Sequence, residues 1–417
     1  MTRFGFRARS AIIAGSLAGR ASRLLGKGSG GMIGGLVATR LDPHILSKVA
    51  RGKDTVLITG TNGKSTTTAM VRAALGATGE PVASNLRGDN MTSGNLVALL
   101  DDLSAPYAAL EVDELHLGAV ADAVKPAAFI LLNLSRDQLD RVGEITRVEK
   151  HIRDTINRHP NAWVVANCDD PLIVSAAWDA PRVIWVSVGC DWTSDATAFP
   201  RTGESIIHTE TGWEIPGSIY ARPQPQWSVD GDDLVHGAER WPLKLTIPGT
   251  VNRGNAAQAI VAAVALGRNV DDAVQAACSV KQVAGRYSTV NVEGRILHLL
   301  LAKNPAGWKE SLAMLDQTAP TIILVVNGQV ADGKDLSWLW DVEFETLTKA
   351  TSTIYVTGER GADLAVRVLY AGVEAELVED VKAAIMKAAV GPVEVLANYT
   401  AFRDLKAALK REGYDVQ

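Results

Sequence analysis

The run Thr55-Val56-Leu57-Ile58-Thr59 leads directly into Gly60-Thr61-Asn62-Gly63-Lys64-Ser65-Thr66, and no other feature constrains the fold of this chain as much. An unbroken run of aliphatic and β-branched residues reads as a buried strand. Glycines then let backbone N–H groups turn inward on a phosphate. A helix starting near Ser65 would present its positive N-terminus to the same anion. In such a loop Lys64 supplies a fixed cation for β and γ phosphates, and the Ser65 hydroxyl is placed to ligate Mg²⁺. The spacing Gly-x-x-Gly-Lys-Ser is shorter than the usual phosphate loop, and Ile58 stands where an earlier glycine would be. The expectation is ATP bound by Gly60 through Thr66.

The same alternation continues downstream. Buried-strand runs recur at Ala108–Val112, Ala128–Leu132 and Ala162–Ala166, with helical patterns between them. Strands alternating with helices imply an α/β fold with a parallel, doubly wound sheet. Residues 187–245 break the pattern, being rich in Gly, Pro, Thr, Trp and Asp, and read as an antiparallel or irregular insertion. A long Ala/Val helix follows Pro248-Gly249-Thr250. Further strands at Ile296–Leu301, Thr321–Val326, Thr353–Val356 and Val393–Leu396 define a second, smaller α/β domain. The expected domains are a basic helical segment over 1–50 packed on the central domain, the central ATP-binding domain over 51–290, and a Rossmann-like domain over 291–417.

Composition narrows the function. A net charge of −5 argues against a nucleic-acid binder. Cys168, Cys190 and Cys278 are scattered and odd in number, so they make neither a disulfide framework nor a metal-ligand spacing, and a reducing, cytoplasmic setting fits. The N-terminus differs from the rest: Arg3, Arg7, Arg9, Arg20 and Arg23 precede the first acid, Asp42. The apolar run Ala11–Gly19 between them is far short of the ~20 residues a membrane span takes. It reads first as an amphipathic helix packed on the first domain. A basic helix at the inner face of an anionic membrane and a targeting peptide are the other readings.

Thr59-Gly60-Thr61-Asn62-Gly63-Lys64-Ser65-Thr66-Thr67 resembles the loop of the Mur ligases and folylpolyglutamate synthases, and further motifs follow in order. Glu111 in Leu110-Glu111-Val112-Asp113-Glu114 stands where that family places a Mg²⁺-binding glutamate, a suitable hard oxygen ligand. Gln138, within Asn133–Arg141, takes the place of a metal-binding histidine, so the second metal site is not carried over intact. Asn167-Cys168-Asp169-Asp170-Pro171 matches an Asn-x-Asp-Asp-Pro turn. Asn252 stands at the adenine-contacting helix start, and Arg286 at the arginine that reaches ATP. Lys150 is the nearby lysine for the family's carbamylation. The resemblance implies an ATP- and Mg²⁺-dependent ligase that activates a carboxylate as an acyl phosphate.

The C-terminal half narrows the resemblance. Lys303-Asn304-Pro305-Ala306-Gly307, the run Ala331-Asp332-Gly333-Lys334-Asp335-Leu336-Ser337-Trp338-Leu339-Trp340-Asp341 and Asn398-Tyr399-Thr400-Ala401 are similar to the MurT family, the ligase-like subunits of lipid II isoglutaminyl synthases. That resemblance implies amidation of the D-isoglutamate α-carboxylate in lipid II at the membrane surface. Ammonia would come from a GatD-type glutaminase partner. No Cys-His pair fit for glutaminase work is recognisable in this chain, which agrees with a separate glutaminase. The family also lends an aspartate to the partner's Cys-His pair, a role implied first for Asp335, then Asp332, then Asp341. The alternative for Asp335 is capping of a helix start at Ser337.

Many members of that family carry a four-cysteine zinc ribbon in the insertion. Here the ligand positions are Phe199, Thr202, Ile215 and Ser218, none of them a thiolate, so no zinc is expected. Apolar packing by Phe199, Ile215 and Trp213 is expected to replace it. The polar loop Asn85, Arg87, Asp89, Asn90, Thr92 and Ser93 is the candidate for the sugar or diphosphate end of the substrate. Two other functions remain open at this level: a stand-alone amino-acid-adding ligase of the Mur or folylpolyglutamate type, and a nucleotide-binding scaffold without catalysis.

Overall fold

The computed structural model describes residues 4–24, 31–86, 88–135, 145–189, 196–247, 249–281, 287–333 and 335–416. It divides into two compact units, one built from residues up to 135 and from 145–283, the other from 284 onward.

The larger unit is organised by a nine-stranded sheet in the order β11-β10-β9-β6-β5-β4-β1-β3-β2, in which β2 is Val82–Ser84 and β5 is Trp163–Asn167. β1 (Asp54–Thr59) lies at its heart, parallel to β3 (Tyr107–Glu111) on one side and β4 (Ala128–Leu131) on the other. Central parallel strands are covered on both faces, and Val56, Leu57 and Ile58 are accordingly fully buried. The phosphate-loop helix Lys64–Leu75 and the helix Val251–Ala265 cover one face through Met70, Leu75, Ala256, Ala259 and Ile260. Alanine on nearly every side of Val251–Ala265 lets that helix be buried all round.

The insertion divides in two. β7 (Ile207–Thr209) and β8 (Gly212–Glu214) form a separate antiparallel hairpin. β9 (Trp227–Asp230), however, joins the main sheet parallel to β6 (Val183–Ser187). β10 (Asp233–His236) and β11 (Glu239–Pro242) then add antiparallel strands at its edge. Glycines open both tight turns, Gly231 and Gly237, each with φ of 61°. The antiparallel character expected for 187–245 is present, but β9–β11 are sheet rather than appendage. Their short alternating runs match edge strands, and nothing local in them indicates which sheet they join.

The second unit has a six-stranded sheet, β12-β13-β17-β14-β15-β16, in which β15 is Thr353–Thr357, β16 Glu376–Leu377 and β17 Gly391–Ala397. Only β12 (Tyr287–Val292) is antiparallel, paired with β13 (Arg295–Leu301) through a two-residue turn. Both turn residues have positive φ, Glu293 49° and Gly294 83°, which is the type I′ pattern that suits strand twist. The boundary expected near Val290 therefore falls inside β12, and the second sheet already begins at Tyr287. β14 (Thr321–Val325) sends Ile322 and Leu324 to one core and Ile323 and Val325 to the other. This two-residue period supplies both layers from one apolar run.

At the N-terminus the helices Phe6–Leu24 and Gly31–Leu41 run antiparallel, Arg7 Nε donating to Leu41 O at 2.7 Å. They cross at glycine: a Cβ on Gly15 would lie 2.8 Å from Ala38 Cβ, and one on Gly35 would lie 2.3 Å from Ser93 O in the helix Thr92–Asp101. Small residues thus seat the pair on the body of this unit.

Candidate functional site

The carboxyl ends of parallel strands are where open α/β sheets place ligands. Here Ile58 pairs with Glu111 of β3, and Thr59 with Leu131 of β4, so three strand ends open beside the glycine loop. Gly60 and Gly63 have positive φ, 137° and 86°. A Cβ at Gly60 would lie 2.9 Å from Asn133 O, and one at Gly63 would lie 2.7 Å from Asn255 Oδ1. Both positions need glycine for backbone conformation and for space.

The segment after β4 straps the loop in place. Asn62 N donates to Asn133 Oδ1 at 2.9 Å, and Asn133 Nδ2 donates back to Asn62 O at 3.1 Å. Thr61 N donates to Asn133 O at 2.9 Å. The Thr61 hydroxyl donates to Ser135 O at 3.1 Å and accepts from Ser135 N at 2.9 Å. Thr66 is buried in the first turn of the helix. These bonds fix the conformation of the loop, the preorganisation an anion site requires.

Four charged or hydroxyl groups converge there. The Lys64 ammonium is buried and donates to Gly60 O, to Thr61 O at 3.2 Å and to Glu114 Oε1 at 3.1 Å. Ser65 Oγ donates to Glu111 Oε2 at 2.7 Å. The two expected Mg²⁺ ligands thus touch each other across the loop. Among the described residues no group of three or more His, Cys, Asp or Glu side chains forms a metal cluster. A hydroxyl and one carboxylate nevertheless match the sparse protein contribution to a Mg²⁺ that also binds phosphates and water. Glu114 carries no role in the sequence reading. Burial pushes its carboxyl above the usual carboxylate range, while Lys64 pulls in the opposite direction. An acid three residues beyond Glu111, on the same strand-end loop, was the signal available for it.

The polar loop after β2 (Val82–Ser84) serves this site from inside. Asn85 is buried, its Oδ1 accepting from Glu111 N and its Nδ2 donating to Glu111 O, both at 2.8 Å. Asn90 Nδ2 approaches Glu111 Oε1 at 3.4 Å. Asn85 therefore positions Glu111 and is not open to a substrate sugar. Its amide continues the β2–β3 ladder where the main chain leaves it. Arg87 lies outside the described residues.

Asn252, expected at the base, is buried at the start of Val251–Ala265 and accepts from Asn255 Nδ2 at 3.1 Å. Asn255 is the residue that abuts Gly63, so the helix start reaches the loop. The turn Asn167–Pro171 ties three segments together. Asn167 Nδ2 donates to Leu132 O at 3.0 Å, and Asp170 Oδ2 accepts from Leu134 N at 2.8 Å. Asp170 also caps the helix Pro171–Ala177, and Asp169 is ion-paired with Arg222 of the insertion at 2.8 Å. Gln138 and Arg286 lie outside the described residues, as does Cys190. Lys150 is an exposed partner of Asp154 at 2.7 Å on the helix Ile145–Asn157. Carbamylation would set two anions against each other there, so this lysine does not fit that role.

At the zinc-ribbon positions the backbone turns persist. Phe199 O accepts from Thr202 N at 3.2 Å, and Ile215 O from Ser218 N at 3.0 Å. Between them Phe199 and Ile215 are buried with Trp213, and the Phe199 ring lies 5.9 Å from Trp213 and 4.8 Å from Tyr220. Aromatic packing fills the space between the turns. Cys168 and Cys278 are buried, and burial raises both thiols, which makes them poor nucleophiles.

In the second unit the acids separate by burial. Asp332 is buried and accepts from Thr400 N at 2.9 Å and from the Thr400 hydroxyl, at the start of the helix Tyr399–Arg411. Burial raises its carboxyl despite those bonds. Asp335 is exposed and accepts at 2.9 Å from the N–H of Ser337, the first residue of the 3₁₀ turn Ser337–Asp341, and hydrogen bonding from Ser337 lowers its carboxyl. Asp341 is exposed at the end of that turn. Trp338 packs near Trp308 in the core, whereas Trp340 is exposed against Tyr370.

A strand–phosphate loop–helix unit in a nine-stranded sheet, with a lysine, serine and glutamate at its carboxyl edge, defines a Mur-ligase-type α/β protein. Residues 58–263 match the model of the Mur ligase middle domain, and residues 301–402 match that of the MurT ligase C-terminal domain. The chain is 29% identical to the lipid II isoglutaminyl synthase (glutamine-hydrolyzing) subunit MurT of Streptococcus pneumoniae, over 94% of this chain and 96% of that one. It is 28% identical to the subunit of the same name from Staphylococcus aureus, over 96% and 98%. Among solved structures, a pseudomurein peptide ligase type C from Methanothermus fervidus superposes with a TM-score of 0.69 at 18% identity, over 88% of this chain and 81% of that one, a likeness of fold. The chain belongs to the MurT family of Mur-type ligases.

Proposed function

We propose that this chain is the ATP-dependent ligase subunit of a lipid II isoglutaminyl synthase. The observation that carries the reading is the convergence of Lys64, Ser65 and Glu111 on a preorganised phosphate loop, in a chain that MurT relatives match along nearly its whole length. In this reading Gly60 to Thr66 bind the ATP phosphates, Lys64 neutralises charge developing on the transferred phosphoryl group, and Ser65 and Glu111 hold Mg²⁺. Bound Mg²⁺ supplies charge neutralisation at the phosphates. Asn85 keeps Glu111 in register, and Asn252 and Arg286 contact the nucleotide.

The reaction balances without redox chemistry. An oxygen of the D-isoglutamate α-carboxylate takes the γ-phosphoryl group, and ADP leaves. Ammonia attacks the acyl carbon, phosphate leaves with the C–O bond electrons, and a proton is lost to give the amide. Ammonia would come from glutamine on a GatD-type partner in a heterodimer, because neither described cysteine is fit for glutaminase work. Asp335, exposed beside the Ser337 turn, is the acid offered to the partner's Cys-His pair. Asp332 is less suited, since Thr400 already occupies its carboxylate. A stand-alone amino-acid-adding ligase is less well supported, because the C-terminal match is to the MurT domain.

The test uses the purified chain with and without a co-expressed glutaminase, given ATP, Mg²⁺ and a lipid II analogue. Ammonium should support amidation by the chain alone, and glutamine only with the partner. Amidation from glutamine by the chain alone would overturn the reading.

A further inference from the structure

The N-terminal helix pair has two faces of opposite chemistry. Ala8, Ala11 and Ile12 of Phe6–Leu24 are buried against the body, with Gly15 at the crossing. Phe6, Ile13 and Leu17 fall on the opposite side of the same helix, 87%, 49% and 59% exposed. At 100° per residue these three lie within a narrow arc, flanked by exposed Arg9 and Arg20 on one side and Arg7 on the other. The second helix, Gly31–Leu41, repeats the pattern with Met32, Ile33 and Leu36 exposed. Residues 1–41 hold seven lysines and arginines and no acid, in a chain whose net charge is −5.

Burial alone does not explain these side chains. A helix needs one apolar stripe to dock on its domain, and the Ala8–Ile12 face already provides it. A second stripe in water is unfavourable unless something covers it. No described helix is long and apolar enough to cross a membrane. An apolar stripe bordered by arginines is instead the pattern of a helix lying in the plane of a bilayer surface, with aliphatic side chains at the acyl boundary and guanidinium groups among anionic headgroups. The local charge selects the occupant: a cationic segment on an otherwise acidic chain is drawn to an anionic surface, while the rest of the chain is repelled from it.

We infer that the Phe6–Leu24 and Gly31–Leu41 helix pair is a peripheral docking element for an anionic lipid bilayer. It rests on exposure and charge in residues 1–41 and does not depend on the reaction proposed above. If that reaction is correct, docking would bring the ligase to a substrate that is itself anchored in lipid.

The test is flotation of the full chain with phosphatidylcholine vesicles, with and without phosphatidylglycerol, at low and high salt. Binding should require the anionic lipid and fall with salt. The pair Arg9→Gln and Arg20→Gln should weaken it about 25-fold, from roughly a factor of five per cation. Ile13→Gln with Leu17→Gln should weaken binding even at low salt. All four positions are exposed, so an unchanged melting curve verifies the fold. No flotation with anionic vesicles at low salt would overturn the inference, and so would equal binding to neutral ones. A concentration-dependent dimer abolished by Ile13→Gln and Leu17→Gln, without vesicle binding, would assign the face to a second copy. Turnover of a substrate analogue without its lipid tail should be the same in these variants as in the parent chain. Failure of that control concerns the ligase reading, whereas failure of flotation concerns docking.

Discussion

Acids at the carboxyl edge of the larger unit and acids in the second unit are held in different ways. Glu111 and Glu114 are paired within the chain, with Ser65 at 2.7 Å and Lys64 at 3.1 Å. In the second unit Asp332 is also satisfied internally by Thr400, but Asp335, three residues on, is exposed with Ser337 N as its bond. Burial makes the difference. An enclosed carboxylate must find its partners in the fold or shift toward its neutral form. An exposed one keeps its charge and has acceptor capacity turned outward. In the first region both acids find partners within the fold, and in the second Asp335 is left facing solvent.

The largest effect expected from breaking this contrast is at Asp335. Asp335→Asn should lower glutamine-dependent amidation by the two-subunit enzyme about 10⁴-fold, the scale for losing a triad acid, and leave ammonium-dependent turnover intact. If glutamine and ammonium rates fall together, or neither falls, the triad assignment is wrong. Next comes Lys64→Met, which removes the loop cation and should reduce amidation from either nitrogen source about 100- to 1,000-fold. ADP release measured with ammonium present checks this. Asn85→Ala should act through Glu111, costing about 10- to 100-fold in apparent Mg²⁺ affinity and little once Mg²⁺ saturates. A merely structural role would lower the saturated rate and the melting temperature instead.

The smallest expected effect concerns Asp332. Its folded-state carboxyl titrates above the unfolded value. The folded state therefore holds the proton more tightly, and this group lowers stability as pH rises from the unfolded carboxylate value through the folded one. Asparagine keeps the shape and can still accept from Thr400 N. Asp332→Asn should thus flatten the pH dependence of the melting temperature in that range, with no loss of stability at neutral pH. A marked drop at neutral pH would mean the charged form is needed there.

Much of the site was legible because its parts are local. Gly60 to Thr66 form one contiguous run, and Glu111 ends a recognisable strand. Asn85 and Glu114 were harder to assign, because their roles depend on which strand ends become neighbours. Asn85 reads as part of a substrate-binding polar loop until β2 and β3 are paired and its amide is seen on Glu111. The insertion shows the same limit: the resemblance to a zinc ribbon without its cysteines pointed to Phe199 and Trp213 as a core, but not to β9 joining β6 in parallel. Lys150 stood nearby in sequence and is paired with Asp154 on a helix surface.

The sequence by itself determined the α/β alternation, the phosphate loop and the family, since periodicity, glycine placement and ordered motifs are carried by neighbouring residues. Tertiary structure decided which acids are enclosed and which are presented, because burial and partnership arise only when distant strand ends, loops and helix starts meet. Asp332 and Asp335 lie three residues apart and look alike in the chain. Only the packing of Tyr399–Arg411 against the first gave them different chemistry.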